Sequence, residues 1–159
     1  MSIEEPFQQW GLGIIGLINP SSSAKHKYIM TTTDYFTRWA EAIPLRVINS
    51  DQVVSFLETC IISRFGIPEV LVFDNASYFT STKLTEFALD RGIKLKYFAN
   101  YYPQGNGLSE STNKNLLKIL KQTIVDHHRN WHIQLSNALW EDISHTQSCD
   151  REFTIFLSL

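Results

Sequence analysis

Val70-Leu71-Val72-Phe73, running into Asp74-Asn75-Ala76-Ser77-Tyr78-Phe79, is the stretch that decides how this chain folds. Four consecutive apolar residues, ended by a turn-forming pair, suit a short strand buried on both faces, as in a parallel sheet. Downstream, Thr82 to Arg91 reads as a helix closing at Gly92, and Ile93 to Phe98 as a further strand. Strand, helix and strand in that order imply parallel crossovers. Upstream, Val53, Val54, Leu57, Ile61 and Ile62 recur at helical spacing after the N-cap pair Ser50-Asp51, and the pattern stops at Gly66. Earlier still, Trp10 to Ile15, Tyr28 to Thr33 and Trp39 to Pro44 read as strands, with Asn19-Pro20-Ser21-Ser22-Ser23 as a loop signal after the first. They predict an antiparallel meander. Beyond the last strand, Asn100 to Gly107 holds one proline and two glycines and predicts a mobile loop. A long helix follows with Leu116, Leu120 and Ile124 on one face, then a second over about Trp131 to Trp140. The pattern is mixed α/β in one domain, with no internal repeat.

Composition agrees. The 159 residues suffice for one core and are too few for two. Hydrophobic residues at 43% and charged residues at 19% place the chain among globular proteins rather than disordered ones. A net charge of −2 excludes a global basic field, so any DNA binding must come from a local patch. Cys60 and Cys149 can build neither a disulfide framework nor a four-ligand zinc site, and Cys60 reads as a buried core thiol. The acidic start Met1-Ser2-Ile3-Glu4-Glu5 is no signal peptide, and the apolar run from Leu12 to Ile18 is too short to span a bilayer. A soluble, intracellular protein with no membrane partner is expected.

Two carboxylates stand out. Asp74 closes a buried strand, and ligands in open α/β sheets gather at the carboxyl ends of strands. Taken alone, Asp74-Asn75 reads first as an Asx turn. Glu110 lies in the first turn of the long helix, where the helix dipole favours a carboxylate with no further role. On its face follow Lys114, Lys118 and Lys121, which suit either a phosphate backbone beside a metal or a solvated helix face. His127, His128 and His132 have no cysteines beside them and read as surface histidines on and between two helices.

Thirty-five residues separate Asp74 from Glu110. That gap, with Thr33-Asp34-Tyr35-Phe36-Thr37-Arg38-Trp39, Phe65-Gly66-Ile67-Pro68, Asp74 to Phe79, Asn100 to Gly107 and Glu110-Ser111-Thr112-Asn113-Lys114, resembles the integrase catalytic core of Gypsy-class long-terminal-repeat retrotransposons. The resemblance runs from about Pro6 to Trp140. It implies a catalytic-core-like domain over 1–140 and a divergent tail over 141–159. It further implies a ribonuclease-H-like α/β fold: a five-stranded mixed sheet, three antiparallel strands then parallel ones, flanked by helices. In that family an Asp, Asp, 35, Glu set holds two Mg²⁺ or Mn²⁺ ions, for hydrolysis at a DNA 3′ end and strand transfer into target DNA. Asp74 and Glu110 match the second and third carboxylates and would be catalytic and metal-binding. Asn75, Gln104, Asn106, Asn113, Lys114 and Lys118 would contact DNA. A homodimer, and nuclear localisation if the chain works as an integrase, follow on the same basis.

The pattern breaks at its first member. The family carries an aspartate as Trp-x-x-Asp in the opening strand; here the string is Trp10-Gly11-Leu12-Gly13. In the family's arrangement this aspartate bridges both ions, and without it two dications about 4 Å apart have little negative charge between them. Metal binding is therefore expected to be weak and catalysis impaired. Asp34 is the nearest acid that could substitute, though the family has this residue alongside the catalytic one. Glu4 and Glu5 precede the strand. Leu108 replaces a polar glutamine of the loop, and the chain beyond Trp140 no longer matches. The leading expectation is a DNA-binding integrase core without catalysis. The alternatives are a non-enzymatic DNA-binding or dimerisation module, and an active enzyme in which another group replaces Gly13.

Overall fold

A computed structural model describes residues 5–73, 79–97 and 107–146, with side chains in the last span described at 116–135 and 137–139. Strands β1 (Gln9–Ile15), β2 (Tyr28–Asp34) and β3 (Ala40–Leu45) form the antiparallel meander. Helix α1 (Ser50–Phe56) continues through a π-helical stretch, Leu57–Ile62, into a last turn, α2 (Ser63–Phe65). Strand β4 (Val70–Phe73), helix α3 (Thr82–Arg91) and strand β5 (Lys94–Tyr97) supply the crossover, and α4 (Gly107–Asp126) and α5 (Trp131–Thr146) follow. The sheet runs β3-β2-β1-β4-β5, with β1–β4 and β4–β5 parallel. The five-stranded mixed sheet is the one anticipated.

Side-chain alternation explains the layers. Trp10 and Leu12 of β1, Leu71 and Phe73 of β4 and Met30 of β2 enter one cluster with Phe56, Leu57, Ile61 and Leu84 from the α1 and α3 side. The alternate residues Ile15 and Ile29 join Ile18, Ala40, Leu116, Leu120, Trp131, Leu135 and Leu139 on the side of α4 and α5. All four residues of β4 are buried, as its unbroken apolar run required. The result is a sheet between two helical layers. Leu116 and Leu120 are buried and Ile124 partly so, which confirms the apolar face of the long helix.

Local chemistry sets the ends. Asn49, rather than the Ser50-Asp51 pair, caps α1, its side chain accepting from Gln52 N at 2.9 Å. Ser81 caps α3 by accepting from Leu84 N, and Gly92 ends that helix at φ 69°, a left-handed conformation that glycine adopts without a Cβ clash. The π-helical stretch was not expected from the periodicity. The Thr59 hydroxyl donates to Ser55 O at 2.7 Å and the Ser63 hydroxyl to Thr59 O at 2.5 Å, so side chains compete for helix carbonyls there. Cys60, within it, is half-buried against the core rather than fully enclosed. Helix α5 passes Trp140 and ends at Thr146. Phe98, the predicted loop 100–106 and Cys149 lie outside the described residues. Among the described residues no helix is long and apolar enough to cross a membrane.

Candidate active site

Gly13 sits in the carboxyl-terminal half of β1, paired with Thr31 of β2. The parallel pairing of β1 and β4 ends at Leu12 with Phe73, so Gly13 lies one step past the last described residue of β4, after which Asp74 follows in the chain. Alternation puts position 13 on the sheet face of Ile15 and Ile29, the face that Leu116 and Leu120 of α4 cover. Glu110 occupies the first turn of α4. The topology thus brings position 13, the end of β4 and the helix bearing Glu110 to one side of the sheet. Asp74, Asn75, Gln104 and Asn106 lie outside the described residues, as do the side chains of Leu108, Glu110, Asn113 and Lys114.

Among the described residues, a Cβ built at Gly13 would meet only the Thr31 hydroxyl, at 3.3 Å. That hydroxyl donates to Gly13 O over a long 3.3 Å and can turn aside at little cost. Gly11, two residues earlier on the same face, is different. The Tyr35 ring lies over it, and a Cβ would come within 3.1 Å of the ring and its hydroxyl. Thr31 and Tyr35 are the site's neighbours that sequence reasoning missed. The signal lay in the two glycines of Trp10-Gly11-Leu12-Gly13, but only strand register shows what fills the space beside them.

Asp34 faces away from Gly13. It pairs with Trp10 and so belongs to the opposite face from Gly13. Its side chain is fully buried. Oδ1 accepts from Phe7 N at 3.0 Å, and Oδ2 accepts from Thr37 N at 2.8 Å and the Thr37 hydroxyl at 2.6 Å. The Thr37 hydroxyl in turn accepts from Trp39 N. Burial raises the Asp34 pKa above its ordinary 3.8, against the pull of hydrogen bonds from Thr37, Phe7 and Phe36. This carboxylate anchors the entry to β1 and shapes the β2–β3 turn. Glu5 is exposed ahead of β1 and accepts from Gln8 Nε2.

Along α4, Lys118 and Lys121 are exposed opposite the buried Leu116 and Leu120, so these two lysines face outward. With Leu117, Gln122 and Val125 they line a shallow groove on that helix. His127 and His128 are exposed as expected, whereas His132 is half-buried against His26. Among the described residues no group of three or more His, Cys, Asp or Glu side chains could hold a metal ion.

Comparisons with known proteins fit this arrangement. The integrase core domain profile matches residues 4–103. The chain is 27% identical over 134 residues to the Pro-Pol polyprotein of feline foamy virus, covering 84% of this chain and 11% of that protein. It is 26% identical over 155 residues to the Tf2-3 transposon polyprotein of Schizosaccharomyces pombe, covering 96% of this chain and 12% of that protein. The chain therefore spans 11% to 12% of the length of these two relatives. A chain in the cryo-EM structure of the simian T-cell lymphotropic virus intasome in complex with the PP2A regulatory subunit B56 gamma matches with a TM-score of 0.65 and 18% identity. The match covers 87% of this chain and 50% of that one, and shows a shared ribonuclease-H-like fold.

Proposed function

This chain belongs to the integrase core domain family, and on that premise we propose that it is a DNA-binding integrase core whose DNA-joining chemistry is impaired at Gly13. The observation that carries the reading is the position of Gly13: the carboxyl-terminal half of β1, beside β4, on the face covered by the helix of Glu110. A group there would stand among the carboxylates of a divalent-metal centre. Glycine offers no ligand.

The residues present do not fit a two-ion centre. Two carboxylates, Asp74 and Glu110, are available by resemblance, and the third position is bare. Asp34 is committed elsewhere, to the Phe7 amide and to both donors of Thr37, on the other face of the sheet. Hard dications take oxygen ligands, and the anion needed to offset two closely spaced positive charges is missing. The chain's retained role is therefore binding: Asn75, Gln104, Asn106, Asn113, Lys114 and Lys118 contact DNA, largely through phosphates, and partner copies assemble as a homodimer. Net charge is −2, so the lysines of α4 must supply a local attraction.

Calorimetric titration of the purified chain with Mg²⁺ is expected to show at most one weak site. Two tight magnesium sites, or DNA ends joined by the unaltered protein, would overturn the reading. Lys114→Ala is expected to weaken binding of all duplex sequences alike and to lower the slope of log affinity against log salt by about 1, the signature of one lost phosphate contact. Fluorescence anisotropy across a salt series measures both. An unchanged slope would make the lysine stripe a solvated helix face.

A further inference from the structure

We propose that His26 and His132 form a two-imidazole site for a transition-metal cation of the Zn²⁺, Ni²⁺ and Cu²⁺ class. The two residues are far apart in sequence, one in the β1–β2 loop and one in the first turn of α5. Their ring centres lie 5.1 Å apart with the planes tilted by 40°. Two imidazoles on one tetrahedral ion, with metal–nitrogen bonds of about 2.0–2.1 Å, bring their ring centres to about 5 Å of each other. Stacked aromatic rings sharing only apolar contact would leave no polar atom wanting. Here one is: among the described residues, His132 Nδ1 is buried with no hydrogen-bond partner. A buried orphan of this kind costs free energy and calls for an ion, a water or a proton to explain it.

The surroundings orient the other ligand. The Ser22 hydroxyl lies 3.4 Å from His26 Nδ1 and also accepts from His26 N at 3.1 Å. That leaves His26 Nε2 for a metal, with the hydroxyl as its outer partner. The loop itself is held to the α4–α5 turn, Ser23 N donating to Arg129 O at 2.8 Å. Arg46 is the cation facing His26, and its Nε donates to Ala24 O. No third protein ligand converges here among the described residues, so water would complete the coordination. Imidazole selects Cu²⁺, Ni²⁺ and Zn²⁺ over Mg²⁺, so this site and a carboxylate centre would not compete for one ion. Its occupancy would clamp the β1–β2 loop onto α5.

Trp131 provides the readout. Its ring centre is 6.4 Å from that of His26 and 6.3 Å from that of His132, close enough for bound Ni²⁺ to quench its fluorescence. The metal-stripped chain should show saturable quenching with Ni²⁺ and a rise in melting temperature with Zn²⁺, as for any ligand that binds only the folded state. Mg²⁺ at the same concentration should do neither. His26→Gln and His132→Gln should each weaken the response by about 10-fold or more, while the double change His127→Gln and His128→Gln leaves it intact. Should either single variant fold poorly, paramagnetic broadening by Ni²⁺ in the unaltered protein decides, since the resonances of His26 and His132 must broaden first. The proposal is overturned by a response that survives His132→Gln, by one lost only in the His127/His128 variant, or by no saturable binding at all.

Discussion

Gly13→Asp is expected to raise Mn²⁺-dependent cleavage of a duplex that mimics an element end by on the order of 10³-fold or more, because it returns the ligand shared by both ions. The fold should accept the change. Among the described residues the added Cβ meets only the Thr31 hydroxyl, at 3.3 Å, and the long bond that hydroxyl makes to Gly13 O is a small loss. Once turned, the same hydroxyl can donate to the new carboxylate. A strand glycine also carries an entropic cost that aspartate lessens. Without metal the new charge should repel Asp74 and Glu110, so the variant should melt below its parent in EDTA and recover in Mn²⁺. Asp74→Asn placed in the Gly13→Asp background should abolish the gain. Comparable cleavage by the parent and the Gly13→Asp protein would show that Gly13 is not the defect.

The second large effect concerns stability. Asp34→Ala is expected to lower the free energy of unfolding by about 2–5 kcal/mol, because the Phe7 amide, the Thr37 amide and the Thr37 hydroxyl all lose their acceptor. Asp34→Asn should cost less, about 1–3 kcal/mol, since an amide has one acceptor oxygen and must set its NH₂ against a donor on the other side. Urea midpoints at constant slope measure both. The pH dependence has a definite sign. A carboxylate with a raised folded pKa binds its proton more tightly in the native state. Its contribution is then most favourable below the ordinary value of 3.8 and is lost as pH rises from there through the raised value. Asp34→Asn should remove that part of the slope. An alanine variant as stable as its parent would mean that the turn and the chain entry hold without this carboxylate.

How much of this was legible in the residues depended on range. Val70–Phe73 and Thr82–Arg91 read correctly to the residue, because a continuous apolar run and a helix closed by glycine are local signals. The π-helical stretch was hidden, since Val53, Leu57 and Ile61 keep ordinary helical spacing across it. Of the site, the bare position at Gly13 was readable from Trp10-Gly11-Leu12-Gly13. Its facing was not. That Gly13 shares a side with α4 and Asp34 does not follows from the pairings Gly13 with Thr31 and Trp10 with Asp34, which only the folded sheet supplies. For the same reason the sequence showed Asp34 only as the nearest other acid and not as an anchor, and His132 read as a surface residue although a partner more than a hundred positions earlier lies against it.

The outermost strands of the sheet are β3 and β5, and each is unsuited to recruiting a neighbour. β3 carries Pro44, which has no amide hydrogen to offer an incoming chain. β5 is four residues long and displays Lys94 and Lys96, whose charges would be forced together in any rim-to-rim stacking of copies. Both rims therefore discourage fibril growth.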